Sequence, residues 1–450
     1  MDSRIVVIGG GFAGLWAAAA AARARTEFGL GDRVAVTVIA PDPFHVIRVR
    51  CYEADLGALR VPLDDVLGPI GVERREARAI DIDPAARTVT VESAAASAVS
   101  SAVSSAVSSA VSSAVSSAVS SPVSSAASSG VVETLAYDRL ILAAGSLLWR
   151  PEIPGIAGAF DVDTFAGAQA LAAHLDRLGD AGGPDEAGRW TAVVIGGGLV
   201  GLELACELPA RLAAARDRAG ATGPVRTILI DHAREVGSAM GAAALPGIRE
   251  ALRDAGVTCI GGARVGAVDR AGVTLADGTR LPAWTSVCAT GMRASPLGGT
   301  LGLPLDPLGR LPVDAFLAVQ GLAGVYAAGD IASAAADDAG HRTVMSCQHA
   351  RPMGRFAGFN AVCDLAGRPE RRLRFAAPDY VTVLDLGAWG AVYTAGWDRG
   401  TLVSSGAAAK ATKRIINGTR IYPPLDRDAA SILAAAAPII QAAPATQAAR

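Results

Sequence analysis

Ile5-Val6-Val7-Ile8-Gly9-Gly10-Gly11-Phe12-Ala13-Gly14 is the stretch whose reading decides the fold. The four apolar residues read as a buried parallel strand, and the alanine-rich residues 15–22 that follow have strong helix propensity. Strand, glycine turn and helix in that order form the context in which G-x-G-x-x-G carries a mechanism. Gly9 permits the tight turn, and Gly11 has no Cβ to obstruct a pyrophosphate. Gly14 lets the helix lie close on the strand, while free N–H groups at the helix start face the phosphate charge.

The pattern occurs twice. Val193-Val194-Ile195 leads into Gly196-Gly197-Gly198-Leu199-Val200-Gly201, then a helix over 202–216 and a strand over 227–230 that ends in Asp231. A carboxylate at that strand end suits a ribose 2′-hydroxyl, so the second nucleotide is expected to be NADH, with Arg234 leaving NADPH open. In the first unit the equivalent strand, 33–39, ends in Ala40-Pro41-Asp42. Ala40 takes the usual acidic place, and Asp42 is either a displaced ribose ligand or a plain turn aspartate.

Each unit continues alike. Residues 79–92 and 131–142 pair as strands around a turn, and residues 268–281 repeat that signature about Asp277-Gly278. Residues 93–130 are an A-V-S-S repeat without charge or aromatic residue, read as a disordered expansion of the first hairpin turn that carries no chemistry. Ala143-Ala144-Gly145 and Ala289-Thr290-Gly291 close the two modules with matching small-residue turns. From Leu311 the chain is expected to rejoin the first module, where Gly329-Asp330 follows a strand and can meet a sugar-like hydroxyl chain. The fold class is α/β, with two Rossmann-like dinucleotide-binding domains, each carrying a β-meander, and a short α+β C-terminal region. The expected divisions are 1–157 and 301–375 for the first domain, 158–300 for the second, and 376–450 for the C-terminal region.

Composition narrows the function. A chain of 450 residues with 51% hydrophobic content and a net charge of −2 describes a soluble protein with no electrostatic call for nucleic acid. Lys410 and Lys413 are the only lysines, so residues 1–409 supply no Schiff-base or P-loop lysine. Cys51, Cys206, Cys259, Cys288, Cys347 and Cys363 have no regular spacing, and His45, His174, His232, His341 and His349 show no metal-ligand spacing, so no metal is expected. A strand beginning at Arg4 leaves no room for a signal peptide, and a cytoplasmic location is expected. Residues 5–22 are uncharged, yet their glycines argue for a phosphate turn rather than a membrane span.

At this point the chain resembles the two-dinucleotide flavoproteins of the pyridine-nucleotide-disulfide reductase superfamily over roughly residues 4–400. Within it, the chain is most similar to the type II NADH dehydrogenases, the single-chain NADH:quinone oxidoreductases. Their H-x-x-x-x-x-x-Y-E-x-x-x-G segment is matched by His45, Tyr52, Glu53 and Gly57. Their A-Q-x-A-x-Q-x-G stretch is matched in part by Gln348, Ala350 and Gly354, with Pro352 replacing the second glutamine. The resemblance implies that Gly9, Gly11, Gly14, Gly145 and Asp330 bind FAD, and that Gly196, Gly198, Gly201, Asp231 and Gly291 serve the nicotinamide nucleotide. It implies hydride transfer from NADH to flavin and electron delivery to a quinone or other small acceptor, with no paired cysteines.

Glu203 stands where the superfamily often has a carboxylate near the nicotinamide, as a steering or proton-relay group or else as a helix-turn glutamate. Many relatives pair it with a lysine, which the placement of the two lysines excludes here on a sequence reading. Gln348 and His349 are expected at the flavin's far edge or else as a buried polar pair capping a helix, and Arg48 and Arg50 either hold an anionic acceptor or the FAD pyrophosphate or are ordinary surface residues. The basic segment 406–418 is expected to be a solvated face or a peripheral membrane contact, and a homodimer stays open. A soluble NAD(P)H reductase of a redox protein and a flavin-binding redox sensor are the alternative readings.

Overall fold

The computed structural model describes residues 3–93, 131–180 and 187–445, so the serine-rich repeat, apart from Ser93, lies outside the described residues. The strands that flank it are described. Strands Thr88–Ser93 and Val131–Ala136 pair antiparallel, in register up to Ser93 opposite Val131. The fold therefore closes up to the mouth of the repeat.

Two parallel sheets carry the architecture. In the first, strand Ser3–Ile8 lies between Arg139–Leu142 and Val34–Ile39, with Val325–Ala327 and Glu73–Arg75 outermost. The late strand Val325–Ala327 shows the chain returning to the first module. In the second, Thr191–Ile195 lies between Thr285–Cys288 and Arg226–Asp231, with Val257–Gly261 beyond. Each glycine turn thus leaves a central strand where the connections diverge to opposite sides, the place where open α/β sheets bind ligands.

Helix Phe12–Glu27 explains why the first module is so rich in alanine. It is covered on one side by its own sheet and on the other by helix Cys347–Leu365. A Cβ on Gly354 would come within 2.2 Å of the Ala13 carbonyl oxygen, and one on Gly358 within 2.1 Å of that of Ala17. Only small residues let these backbones approach so closely. The apolar stretch 5–22 is thereby divided into a buried strand and a buried helix, and no helix among the described residues is long and apolar enough to cross a membrane.

A further pairing joins the modules. Ser146–Leu148 and Met292–Ala294, directly after the two small-residue turns, form a two-stranded antiparallel ribbon. The C-terminal region adds an antiparallel sheet of Val381–Asp385, Ala391–Ala395 and Thr401–Ser405, followed by helices Gly406–Ile415 and Ala429–Ala435.

Candidate active site

The two glycine turns are built to one plan. Gly9 has φ +113° and its Cβ would lie 2.3 Å from the Ala143 carbonyl oxygen; Gly196 has φ +112° and its Cβ would lie 2.4 Å from that of Ala289. A Cβ on Gly14 would meet the Gly9 oxygen at 1.9 Å, and one on Gly201 the Gly196 oxygen at 1.8 Å. Around Gly11 and Gly198, by contrast, nothing lies within 4 Å of an added Cβ. The first and third glycines of each turn are thus locked by backbone contact. The second faces open space at a helix N-terminus, which fits a pyrophosphate.

Both turns open onto a single cleft of about 1710 Å³. Of the residues singled out from sequence, Gly11, Asp42, Arg48, Gly145, Gly196, Gly198, Glu203, Asp231, Gly291, Asp330, Gln348 and His349 all line it, while Gly9, Gly14 and Gly201 do not. Gly145 and Gly291 take left-handed backbone, with φ of +68° and +96°, at matching places in the two modules.

The strand-end positions correspond as well. A Cβ on Gly197 would sit 2.4 Å from Asp231 Oδ2, and one on Gly10 would sit 3.2 Å from Ala40 Cβ. Ala40 therefore occupies in the first module the place that Asp231 holds in the second. Asp42 makes a turn, accepting the Phe44 N–H at 2.9 Å, and still borders the cleft. Arg234 lines a separate small depression with Arg249 and Arg253.

Asp330 accepts the Ser146 hydroxyl at 2.7 Å, and burial pushes its carboxyl above the usual range. Arg48 is redirected by its neighbours. It donates to Asp163, to the Ser146 carbonyl and hydroxyl oxygens at 3.0 Å, and lies 3.9 Å from Asp330. A guanidinium already facing two carboxylates is a poor holder of a further anion. Arg50 is similarly bound to Glu53, at 2.6 Å, and to the Tyr422 hydroxyl at 2.8 Å.

Glu203 is where sequence reasoning went astray. Its carboxylate is 1% exposed and accepts the Lys413 ammonium at 2.8 Å and the Asp385 N–H at 3.1 Å, both on Oε1. The glutamate–lysine pair excluded on the sequence reading is therefore present. Helix Gly406–Ile415 packs on the C-terminal sheet and brings Lys413 to the cleft to supply it. Lys413 also donates to the Val383 carbonyl at 2.9 Å, and Lys410 donates to Asp385, which accepts the Tyr52 hydroxyl at 3.2 Å. Two of the three cations of the basic segment thus point inward, and only Arg414 is exposed.

Burial pushes the Glu203 carboxyl up to about 7, against the pull of Lys413 and the Asp385 amide, and its Oε2 has no hydrogen-bond partner. A carboxyl whose folded value lies above its ordinary 4.5 binds more protons folded than unfolded. Its contribution is therefore fully present below 4.5 and lost as pH rises through about 7. Wild type should lose about 3 kcal/mol relative to Glu203→Gln between those limits. Taking the difference cancels His45 and His349, which burial lowers to about 4 and which act with the opposite sign. Parallel urea-unfolding curves for the two proteins would refute this shift.

Gln348 and His349 begin helix Cys347–Leu365, capped by Ser346. Gln348 donates to the Asp379 carbonyl at 3.2 Å. The buried His349 ring stacks against Tyr380 at 5.8 Å and Trp397 at 5.7 Å, and its Nε2 has no partner. The six cysteines are all unpaired, and burial pushes the Cys51 thiol up to about 12. Such a thiol is inert as a nucleophile.

The profile of the pyridine nucleotide-disulphide oxidoreductases matches residues 3–354. A NADH dehydrogenase-like protein of Mycobacterium tuberculosis is 48% identical over 444 residues, covering 98% of this chain and 100% of that one. A type II NADH:quinone oxidoreductase of the same organism is 28% identical over 355 residues, covering 73% of this chain and 66% of that one. The solved structure of NDH2 from Plasmodium falciparum in complex with NADH is similar with a TM-score of 0.73 at 11% identity, over 97% of each chain. On the profile match and the 48% identity, this chain belongs to the pyridine nucleotide-disulphide oxidoreductase family.

Proposed function

We propose that the protein is an FAD-dependent NADH dehydrogenase that passes electrons to a quinone or similar small acceptor without a redox-active disulfide. One observation carries this reading: two glycine cradles of identical plan open onto the same cleft, so two dinucleotides bound there would meet. In this reading FAD occupies the turn of Gly9, Gly11 and Gly14, bordered by Gly145 and Asp330. NADH occupies the turn of Gly196, Gly198 and Gly201, bordered by Gly291, with Asp231 on the ribose. The position of Arg234 outside the cleft favours NADH over NADPH. The flavin, when bound, supplies the chemistry that converts a two-electron hydride donor into a reductant for the acceptor.

The chain's own residues bind, orient and manage protons. Asp330, held by Ser146, offers a buried carboxyl to a hydroxyl chain. Glu203 can hold or release a proton near neutral pH at Oε2, with Lys413 fixing its other oxygen. His349 is kept neutral by burial and presents Nε2 as a hydrogen-bonding atom. The similarity to a type II NADH:quinone oxidoreductase supports quinone as the acceptor class.

The test is anaerobic mixing of purified protein with NADH, followed by turnover with menadione, a short-chain ubiquinone, ferricyanide and oxygen. Rapid bleaching of the flavin and turnover with a quinone are expected. Bleaching with no quinone turnover would shift the assignment to a reductase of a protein partner. Absence of bound flavin would overturn it.

A further inference from the structure

Arg351 and Arg355 lie one turn apart on helix Cys347–Leu365, 6% and 2% exposed. Arginines this deeply buried are ordinarily paired with carboxylates. These are not. Neither forms an ion pair with a carboxylate among the described residues; Arg351 instead neighbours His45, Cys347 and Arg420, and Arg355 neighbours Arg351. Both guanidinium Nε atoms lack a hydrogen-bond partner. Arg355 rests on the face of Trp16 at 4.1 Å, with Arg351 5.4 Å from the same ring.

Arg351 reaches the cleft, and so does Arg420. Each is satisfied at present by a neutral oxygen from one short segment. Arg351 donates to the Gln441 side-chain oxygen at 3.1 Å, and Arg420 donates to the Ala442 carbonyl. An amide oxygen occupies there the place that a carboxylate oxygen would fill more strongly. The cluster adjoins Pro352, where the resembled sequence pattern has glutamine, so a neutral hydrogen-bonding side chain is absent where unpaired positive charge is present.

Resting on the acceptor assignment above, we infer that this end of the cleft selects an acidic acceptor: a quinone bearing a carboxylate, anchored by Arg351 and Arg420 with Arg355 reinforcing the field beneath. The Gln441 and Ala442 oxygens give way when it binds. Discrimination comes from charge, because a neutral acceptor leaves the cation cluster without a counterion.

The test uses a 1,4-naphthoquinone with a carboxyalkyl side chain and its methyl ester, which share one redox-active ring and differ in charge. Binding to the flavin-loaded protein without NADH, followed by thermal shift and flavin fluorescence, should favour the acid by roughly tenfold, the scale of one hydrogen bond to a charged group. The kcat/KM ratio under NADH should follow. Arg351→Gln and Arg420→Gln should each bring the acid-to-ester ratio toward one, and raised salt should weaken the acid more than the ester. Equal binding of acid and ester by wild type, or an acid preference that survives Arg351→Gln, overturns the inference. Loss of flavin from Arg351→Gln with the preference intact also overturns it, since the arginines would then serve the cofactor phosphates. Acid-selective binding without bleaching by NADH would instead reject the NADH dehydrogenase assignment and leave the anion site standing.

Discussion

Gly14→Ala is expected to purify without flavin, and Gly201→Ala to purify yellow but resist reduction by NADH. The cause is the same in both. The added methyl would sit 1.9 Å from the Gly9 oxygen in one module and 1.8 Å from the Gly196 oxygen in the other, and both obstacles are backbone. Neither can rotate aside, so the helix must shift by about 1 Å and carry its N-terminal N–H groups with it. A displacement of that size should lower affinity for the nucleotide in that module roughly a hundredfold. Bound flavin reports that Gly201→Ala has folded, and NADH binding followed by the nucleotide's own fluorescence reports the same for Gly14→Ala. The flavin-to-protein absorbance ratio and the NADH-driven bleaching rate separate them. Retention of both cofactor responses in both variants would show that the cradles are not nucleotide seats.

Lys413→Met should be the most destabilising single change in the C-terminal region, costing about 3 kcal/mol at neutral pH. Removing the ammonium leaves the Glu203 carboxylate 1% exposed with one oxygen unpartnered and the other holding only the Asp385 amide. Proton uptake by Glu203 limits the loss, which should therefore shrink on acidification and grow as pH is raised. Lys413→Met combined with Glu203→Gln should recover most of the stability, because the pair is removed together rather than broken. Urea unfolding of the three proteins at two pH values measures this. A single variant as stable as wild type, or a double variant no better than the single, would show that the pair does not bear on the fold.

The sheets and the cradles were legible because their determinants are local. A strand, a turn and a helix within fifteen residues record their own geometry, and repetition at Gly196 removed ambiguity. The Lys413–Glu203 pair was not legible, since its members stand 210 positions apart and meet only through the tertiary packing of helix Gly406–Ile415. Scarcity of lysine suggested that no partner could exist. The better signal was that both lysines lie three apart on one amphipathic helix, and hence on one face of it. The buried arginines were missed for a different reason. The sequence comparison at Gln348, Ala350 and Gly354 concerned identity at matched positions, and Arg351 falls between them. The surroundings of Arg48 were not legible, because a loop arginine shows its charge in sequence but not the carboxylates folded around it.

The short ribbon of Ser146–Leu148 and Met292–Ala294 has a consequence for how the turns at Gly145 and Gly291 keep their separation. Each strand of the ribbon leaves directly from one of the two small-residue turns, so the spacing between those turns is set by main-chain pairing. Side chains can drift without altering it. A spacing held by main-chain pairing is one that side-chain substitution along the ribbon leaves in place.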